Sequence, residues 1–215
     1  MVEGRREPQQ QQITDLKIAL ADAISAWSHI EDALCLLLSE ILHRHRAHAP
    51  AIYFAPTSTE TRFAIVDRSL RIYAKDLSFS AEMLISWGLI QRKLGKVKRV
   101  RNKLAHGAVV TYAKGRVNLP RLTGPFSDWT SNHWTPHPPG LSVADVRSAE
   151  KNFRFCDGCI SRMADVIERS GAGKDDALTS RRKCRELAED LRIEAARSGA
   201  RTQPTHRGPP EPSDP

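Results

Sequence analysis

Apolar residues that recur at alternating steps of four and three positions leave this chain little choice but to build long helices packed side by side. Leu16, Leu20, Ala23, Trp27, Ile30, Leu34, Leu37 and Ile41 keep that alternation without a break. At about 100° per residue such positions share one helix face, whereas a half-buried strand needs a period of two. The spacing predicts a helix over residues 13–46. Ile24, Leu36 and Leu38 widen its stripe, as a helix with more than one neighbour requires. His43, Arg44, His45 and Arg46 suit the negative end of its dipole, and Pro50 is expected to stop it.

The same pattern recurs downstream. Thr57-Ser58-Thr59-Glu60 matches a capping box and predicts a second helix over 58–75, burying Phe63, Val66, Leu70 and Tyr73. A third, over 79–106, would be about 40 Å long at 1.5 Å per residue, with Gly107 as the residue that ends it. Ser142 and Asp145 cap a fourth over 142–170, whose seam runs through Val146, Ala149, Phe153, Cys156, Ile160, Met163 and Ile167. Gly171-Ala172-Gly173 closes it. A fifth helix over 176–198 carries only a thin apolar line, Leu178, Cys184, Leu187 and Leu191, and is expected on an edge or against a partner.

Between the third and fourth helices the period changes. Val109, Tyr112, Val117 and Leu119 flank Ala113-Lys114-Gly115-Arg116 and predict a short β-hairpin. Residues 120–141 are Pro-rich and hold Trp129, His133, Trp134 and His137. A loop this long inside a helical domain is unusual and often functional.

The fold class is therefore all-α, an up-and-down bundle of four main helices over 13–171. It carries a hairpin and loop insertion at 108–141 and an accessory charged helix at 172–198. Residues 1–12 and the Pro-rich 199–215 are expected to be disordered. A length of 215 residues suits one well-buried domain with extensions. No apolar run approaches the roughly 18 residues of a membrane span, and the polar first dozen residues do not read as a secretory signal. Four scattered cysteines suit a reducing cytoplasm.

The third helix holds the feature that points to function. Its seam reads Met83, Trp87, Ile90, Leu94, Val97, then Arg101, then Leu104, so a guanidinium stands where an apolar side chain is due. That group cannot be deprotonated and must find a carboxylate, a phosphate or water. Around it, Arg92, Lys93, Lys96, Lys98, Arg99, Arg101 and Lys103 are seven cations with no acid among them. Lys93, Lys96, Arg99 and Lys103 are expected on the side away from the seam, where they would track phosphates along an RNA backbone. The formal net charge of +8 favours the same kind of partner. A solvated helix face is the plainer account of such a run.

The string Arg101-Asn102-Lys103-Leu104-Ala105-His106-Gly107 resembles the signature of the HEPN superfamily: an Arg, a polar residue after it, and a His at the end of a bundle helix. The likeness extends to the helical layout over roughly residues 13–170. It implies a homodimer in which two copies of the motif face each other across a basic cleft. It also implies a metal-independent endoribonuclease of the toxin, defence or RNA-processing kind, with an antitoxin or other regulatory protein as a further partner. By position, Arg101 and His106 would be the catalytic pair and Asn102 their polar assistant. No cofactor, metal or membrane is expected. Other members of the family have lost activity and serve as binding or dimerisation modules.

RNA is cut without a metal if a base takes the 2′-hydroxyl proton, an acid protonates the leaving 5′-oxygen, and a cation steadies the phosphorus. Imidazole suits the proton transfers and guanidinium suits the phosphate oxygens. One His cannot be acid and base at once, whereas a two-fold dimer supplies two. Residues five apart are rotated by about 140° on a regular helix. Arg101 and His106 therefore share a face only if the last turn unwinds, or else they act across the dimer. The structural alternative pairs Arg101 with Glu31 or Asp32 and leaves His106 to cap carbonyls.

Cys156-Asp157-Gly158-Cys159 is a CxxC without a second pair, and Cys156 lies on the seam, so it reads as core. His43, His45 and His48 include no pair four apart and read as helix-end solvation. Trp129, His133 and Trp134 either stack on bases or pin the insertion to the bundle. No helix-turn-helix signal supports a DNA-binding regulator.

Overall fold

The computed structural model describes residues 6–43, 48–114, 117–124 and 140–200. Helices α1 (Arg6–Leu42), α2 (His48–Tyr53), α3 (Thr59–Tyr73) and α4 (Ser80–His106) come first, then strands β1 (Ala108–Lys114) and β2 (Val117–Thr123). Helices α5 (Val143–Gly171) and α6 (Ala177–Ala200) complete the order, and the two strands form one small antiparallel sheet. The described residues are mostly helical, with that one small sheet. Among the described residues no helix is long and apolar enough to cross a membrane.

The main body of the core lies between α1 and α5, the two longest helices. Every residue of the α5 seam is buried, as are Leu16, Ala23, Trp27, Ile30, Leu34, Leu37 and Ile41 of α1. Trp27 joins three helices: its ring meets Phe153 of α5 edge-on at 5.6 Å and Phe63 of α3 at 6.3 Å. Such contacts add to area burial because ring edges and faces carry opposite partial charge.

α1 begins earlier and ends sooner than the apolar pattern indicates. It starts at Arg6, inside the expected lead-in, and Thr14 Oγ1 donates to the Gln10 carbonyl one turn back. It stops at Leu42, and His43 takes a left-handed φ of 46°. Arg44, His45 and Arg46 lie outside the described residues. Pro50 stops nothing; it stands in the first turn of α2, where a missing N–H leaves no bond unmade.

The cap of α3 is displaced by one residue. Ser58, not Thr57, accepts from the Thr61 amide at 3.3 Å, and its hydroxyl donates to Glu60 Oε2 at 3.1 Å. α5 opens on a full capping box: the Asp145 amide donates to Ser142 Oγ and the Ser142 amide donates to Asp145 Oδ2. The Ser142 hydroxyl, which donates to Asp145 Oδ2 at 2.6 Å, and the Ser142 amide together hold the Asp145 carboxyl below its ordinary range.

α6 is built into the bundle. Cys184, Leu187 and Leu191 are buried against it, while Leu178, expected on the same line, is 72% exposed. Ser86 of α4 is fully buried and donates to the Cys184 carbonyl at 2.7 Å, tying the two helices together.

Gly107 ends α4 for a reason the sequence does not state. Its φ of −79° is open to any residue, so left-handed freedom is not what it supplies. A Cβ there would come within 2.8 Å of both Leu122 Cγ and the Lys103 carbonyl, and within 2.9 Å of the Thr123 carbonyl. Glycine lets β2 fold back directly onto the end of α4. The return is fixed further along, where Leu122 and Leu141 exchange both backbone hydrogen bonds at 2.9 and 2.8 Å. Gly107→Ala is expected to cost about 1–3 kcal/mol, the usual range for overpacking, by urea denaturation. A loss below about 0.5 kcal/mol, the scale of an unremarkable surface change, would show that β2 moves aside freely.

Candidate functional site

α4 is a helix with three distinct sides. Met83, Trp87, Ile90, Leu94, Val97 and Leu104 are buried and fix the inner side. Arg101 occupies the gap in that stripe and is half-buried. Its guanidinium carbon lies 5.6 Å from the centroid of the Trp27 ring, and Nη1 donates to Asn102 Oδ1 at 3.2 Å. A cation over an indole face gains about 0.5–2 kcal/mol, more as water is excluded. Trp27 is thus the shelf on which Arg101 rests.

Neither acid proposed as a partner takes the charge. Glu31 is engaged at 3.3 Å by Arg62, and Asp32 is exposed. Among the described residues no carboxylate approaches Arg101 within 4 Å. The cation keeps its capacity for an external anion.

The outer side is a basic ridge. Arg92, Lys96, Arg99, Lys103 and His106 are all exposed, at steps of four, three, four and three. Three of the four cations expected to face RNA stand here. Lys93 does not. Its ammonium is turned inward, within 2.6 Å of Asn152 Oδ1 and 3.9 Å of Glu194, and 5.5 Å from the Phe155 ring. It lies about 100° around the helix from Arg92, which is enough to place it between α4, α5 and α6. Lys93 is a bundle-packing residue and does not stand among the exposed cations with which the sequence groups it.

Arg101 and His106 remain apart within one chain. The α-helix continues through His106, so the last turn does not unwind, and the two side chains leave the axis about 140° apart. Asn102 and His106, four apart and both exposed, share the flank between them. Asn102 therefore touches Arg101 on one side and neighbours His106 on the other.

The third side of α4 faces α3. There Lys98 Nζ sits 2.7 Å from Glu60 Oε1, a pair that local spacing cannot reveal because its partners are far apart in the chain. The hydrogen bond from Lys98, with further ones from the helix start and Ser58, draws the Glu60 carboxyl from 4.5 down to about 2. A folded-state value below the unfolded one gives stability that is present above about pH 4.5 and lost as pH falls through about 2. The wild-type melting temperature should accordingly drop more steeply than that of Glu60→Gln between pH 5 and pH 2 (about the span of the two values). Parallel curves would mean that the exposed pair contributes nothing.

The cysteines behave as core. Cys156 and Cys159 are buried, and burial pushes their thiols up to about 12 and about 11. Thiols so far from ionisation are poor nucleophiles and poor ligands. His43 packs on Tyr73 at 5.6 Å, His48 belongs to α2, and His45 lies outside the described residues. Among the described residues no set of three or more His, Cys, Asp or Glu converges. Trp129, His133, Trp134 and His137 also lie outside the described residues. No protein-family model, curated protein or solved structure matches the chain.

Proposed function

We propose that this protein is a HEPN-like, metal-independent endoribonuclease that acts as a homodimer. The supporting observation is Arg101: a cation held on the Trp27 ring, oriented by Asn102 and left without a carboxylate among the described residues. An arginine so placed is prepared for a phosphate. In this reading Arg101 grips the non-bridging oxygens of the scissile phosphate and stabilises the charge that grows on them. His106 moves the protons, one imidazole taking the 2′-hydroxyl proton and the imidazole of a second copy delivering one to the leaving oxygen. Lys96, Arg99 and Lys103 guide the strand toward His106. The wide angle between Arg101 and His106 within one chain is met by pairing each with its counterpart across a two-fold axis.

The test is cleavage of RNA by purified protein in EDTA, beside a measurement of mass in solution. Loss of cutting in both His106→Ala and Arg101→Ala, from a dimer, supports the reading. Undiminished cutting in both variants removes it.

That same angle favours a second reading, in which the ridge and Arg101 bind RNA or a partner protein without chemistry. Steeply salt-dependent RNA binding with no cleavage products would select it.

A further inference from the structure

A cavity of about 120 Å³ opens between α1, α3 and α4, and it belongs neither to the basic ridge nor to Arg101. Its floor is apolar: Leu34, Trp87 and Leu94, all buried. Phe63 forms a half-buried wall, and Gln91, Gly95 and Lys98 form the rim on α4. From this geometry we infer that the cavity is a base pocket, which takes one pyrimidine of the RNA bound along α4. The inference rests on the reading of α4 as an RNA-facing helix.

Size limits the occupant first. This cavity is smaller than the closed apolar cavity of about 150 Å³ that holds a benzene molecule, so it has no room for a fused pair of rings and takes a single ring only part-way, through its open mouth. Chemistry limits it further. The half-buried Phe63 ring offers aromatic surface, on which a flat ring is stabilised, above a floor that includes the buried Trp87. Trp87 is held in place by its own indole N–H, which donates to Asp67 at 2.9 Å. Gln91 has no hydrogen-bond partner among the described residues, and its amide can both donate and accept. The edge of a uracil or cytosine presents the complementary alternation. The ammonium of Lys98 is occupied by Glu60, so its stem closes the far rim while the pair keeps the mouth polar without adding net charge.

Position links the pocket to the cutting residues. Gln91, Gly95, Lys98, Asn102 and His106 follow one flank of α4 at steps of four, three, four and four. Lys98 and His106 are separated along the axis by about 12 Å at 1.5 Å per residue, a distance bridged by a short run of nucleotides. A pyrimidine seated between α3 and α4 would set which phosphate reaches Asn102 and His106. The pocket thus confers base preference at a fixed distance from the cut.

Gly95 provides the test. A Cβ at that position meets nothing within 4 Å, so Gly95→Leu fills the rim without disturbing the core and improves the local helix propensity. Uridine and cytidine monophosphate should shift the Trp87 indole N–H resonance in a saturable way, and guanosine monophosphate should not. Gly95→Leu should weaken uridine monophosphate binding by at least about tenfold, with an unchanged or raised melting temperature. No shift with the pyrimidine nucleotides, an equal response to the purine, or unaltered binding by Gly95→Leu each overturns the inference. The titration needs no cleavage, so failure of the nuclease reading leaves it interpretable. Cutting that ignores base identity, from protein that does not bind pyrimidine nucleotides, removes the pocket alone.

Discussion

His106→Ala is expected to reduce RNA cleavage by about 10²–10⁴-fold, the usual contribution of a general acid or base, with no change in the denaturation midpoint. His106 is exposed at the last position of α4 and makes no hydrogen bond or ring contact among the described residues, so its loss leaves the core intact. The more discriminating result comes from mixing. If two imidazoles from two chains serve as acid and base, a dimer with one alanine is as inactive as a dimer with two. After subunit exchange with His106→Ala protein, activity should follow the square of the wild-type fraction. A linear dependence would assign each site to one chain and overturn the shared arrangement. Arg101→Lys adds a second check. Lysine keeps the charge but loses the planar fork, and a loss of about 10²–10³-fold, the scale of one removed oxyanion donor, is expected there too.

Much of this framework is legible in the sequence because burial and helical period are coupled. The seams of α1, α4 and α5 emerge directly from steps of four and three, since a side chain on the inner face must be apolar or be explained. Arg101 stands out for the same reason. The sequence cannot say what satisfies it, because the choice between Glu31, Asp32 and an aromatic face depends on how α1 rotates against α4. Trp27 is on the seam of α1, and that position is the available signal. A seam residue directly opposite a misfit cation is a candidate to support it.

The departures from the sequence pattern have a common cause. A run of charges is expected to face water, which groups Lys93 with the outer cations. Helices α3, α5 and α6 all border α4, however, and its solvent-facing arc is narrower than the polar residues alone suggest. Lys93 and Lys98 lie on opposite borders of that arc, and each is claimed by a neighbouring helix, through Asn152 and Glu194 in one case and Glu60 in the other. Gly107 has the position of the commonest glycine after a helix. Its actual constraint comes from Leu122 and Thr123, and no local pattern can reveal a close approach by a strand that folds back. Leu178 falls outside the inner line of α6 on its own spacing, since nine residues at about 100° each set it about 180° from Leu187, and it is exposed accordingly.

Trp27→Ala should be the most destabilising single substitution in this core, at about 3–5 kcal/mol. That is a large share of the roughly 5–15 kcal/mol that holds a typical domain folded. The side chain is 2% exposed and stands where α1, α3 and α5 meet, so its removal opens a void lined by Phe63 and Phe153 that neither ring can fill alone. Trp27→Phe should cost far less. The indole N–H is buried without an acceptor among the described residues, and phenylalanine removes that unsatisfied donor while keeping an aromatic face beneath Arg101. The contact with Arg101 can be isolated by a double-mutant cycle between Trp27→Phe or Trp27→Ala and Arg101→Ala, read by urea denaturation. A coupling of about 0.5–2 kcal/mol with alanine at position 27, and less with phenylalanine, is the signature of a cation resting on a ring. A coupling near zero would mean that Arg101 lies beside the indole without being held by it. Its orientation toward a phosphate would then depend on Asn102 alone, and Asn102→Ala should reduce cleavage as much as Trp27→Phe spares it.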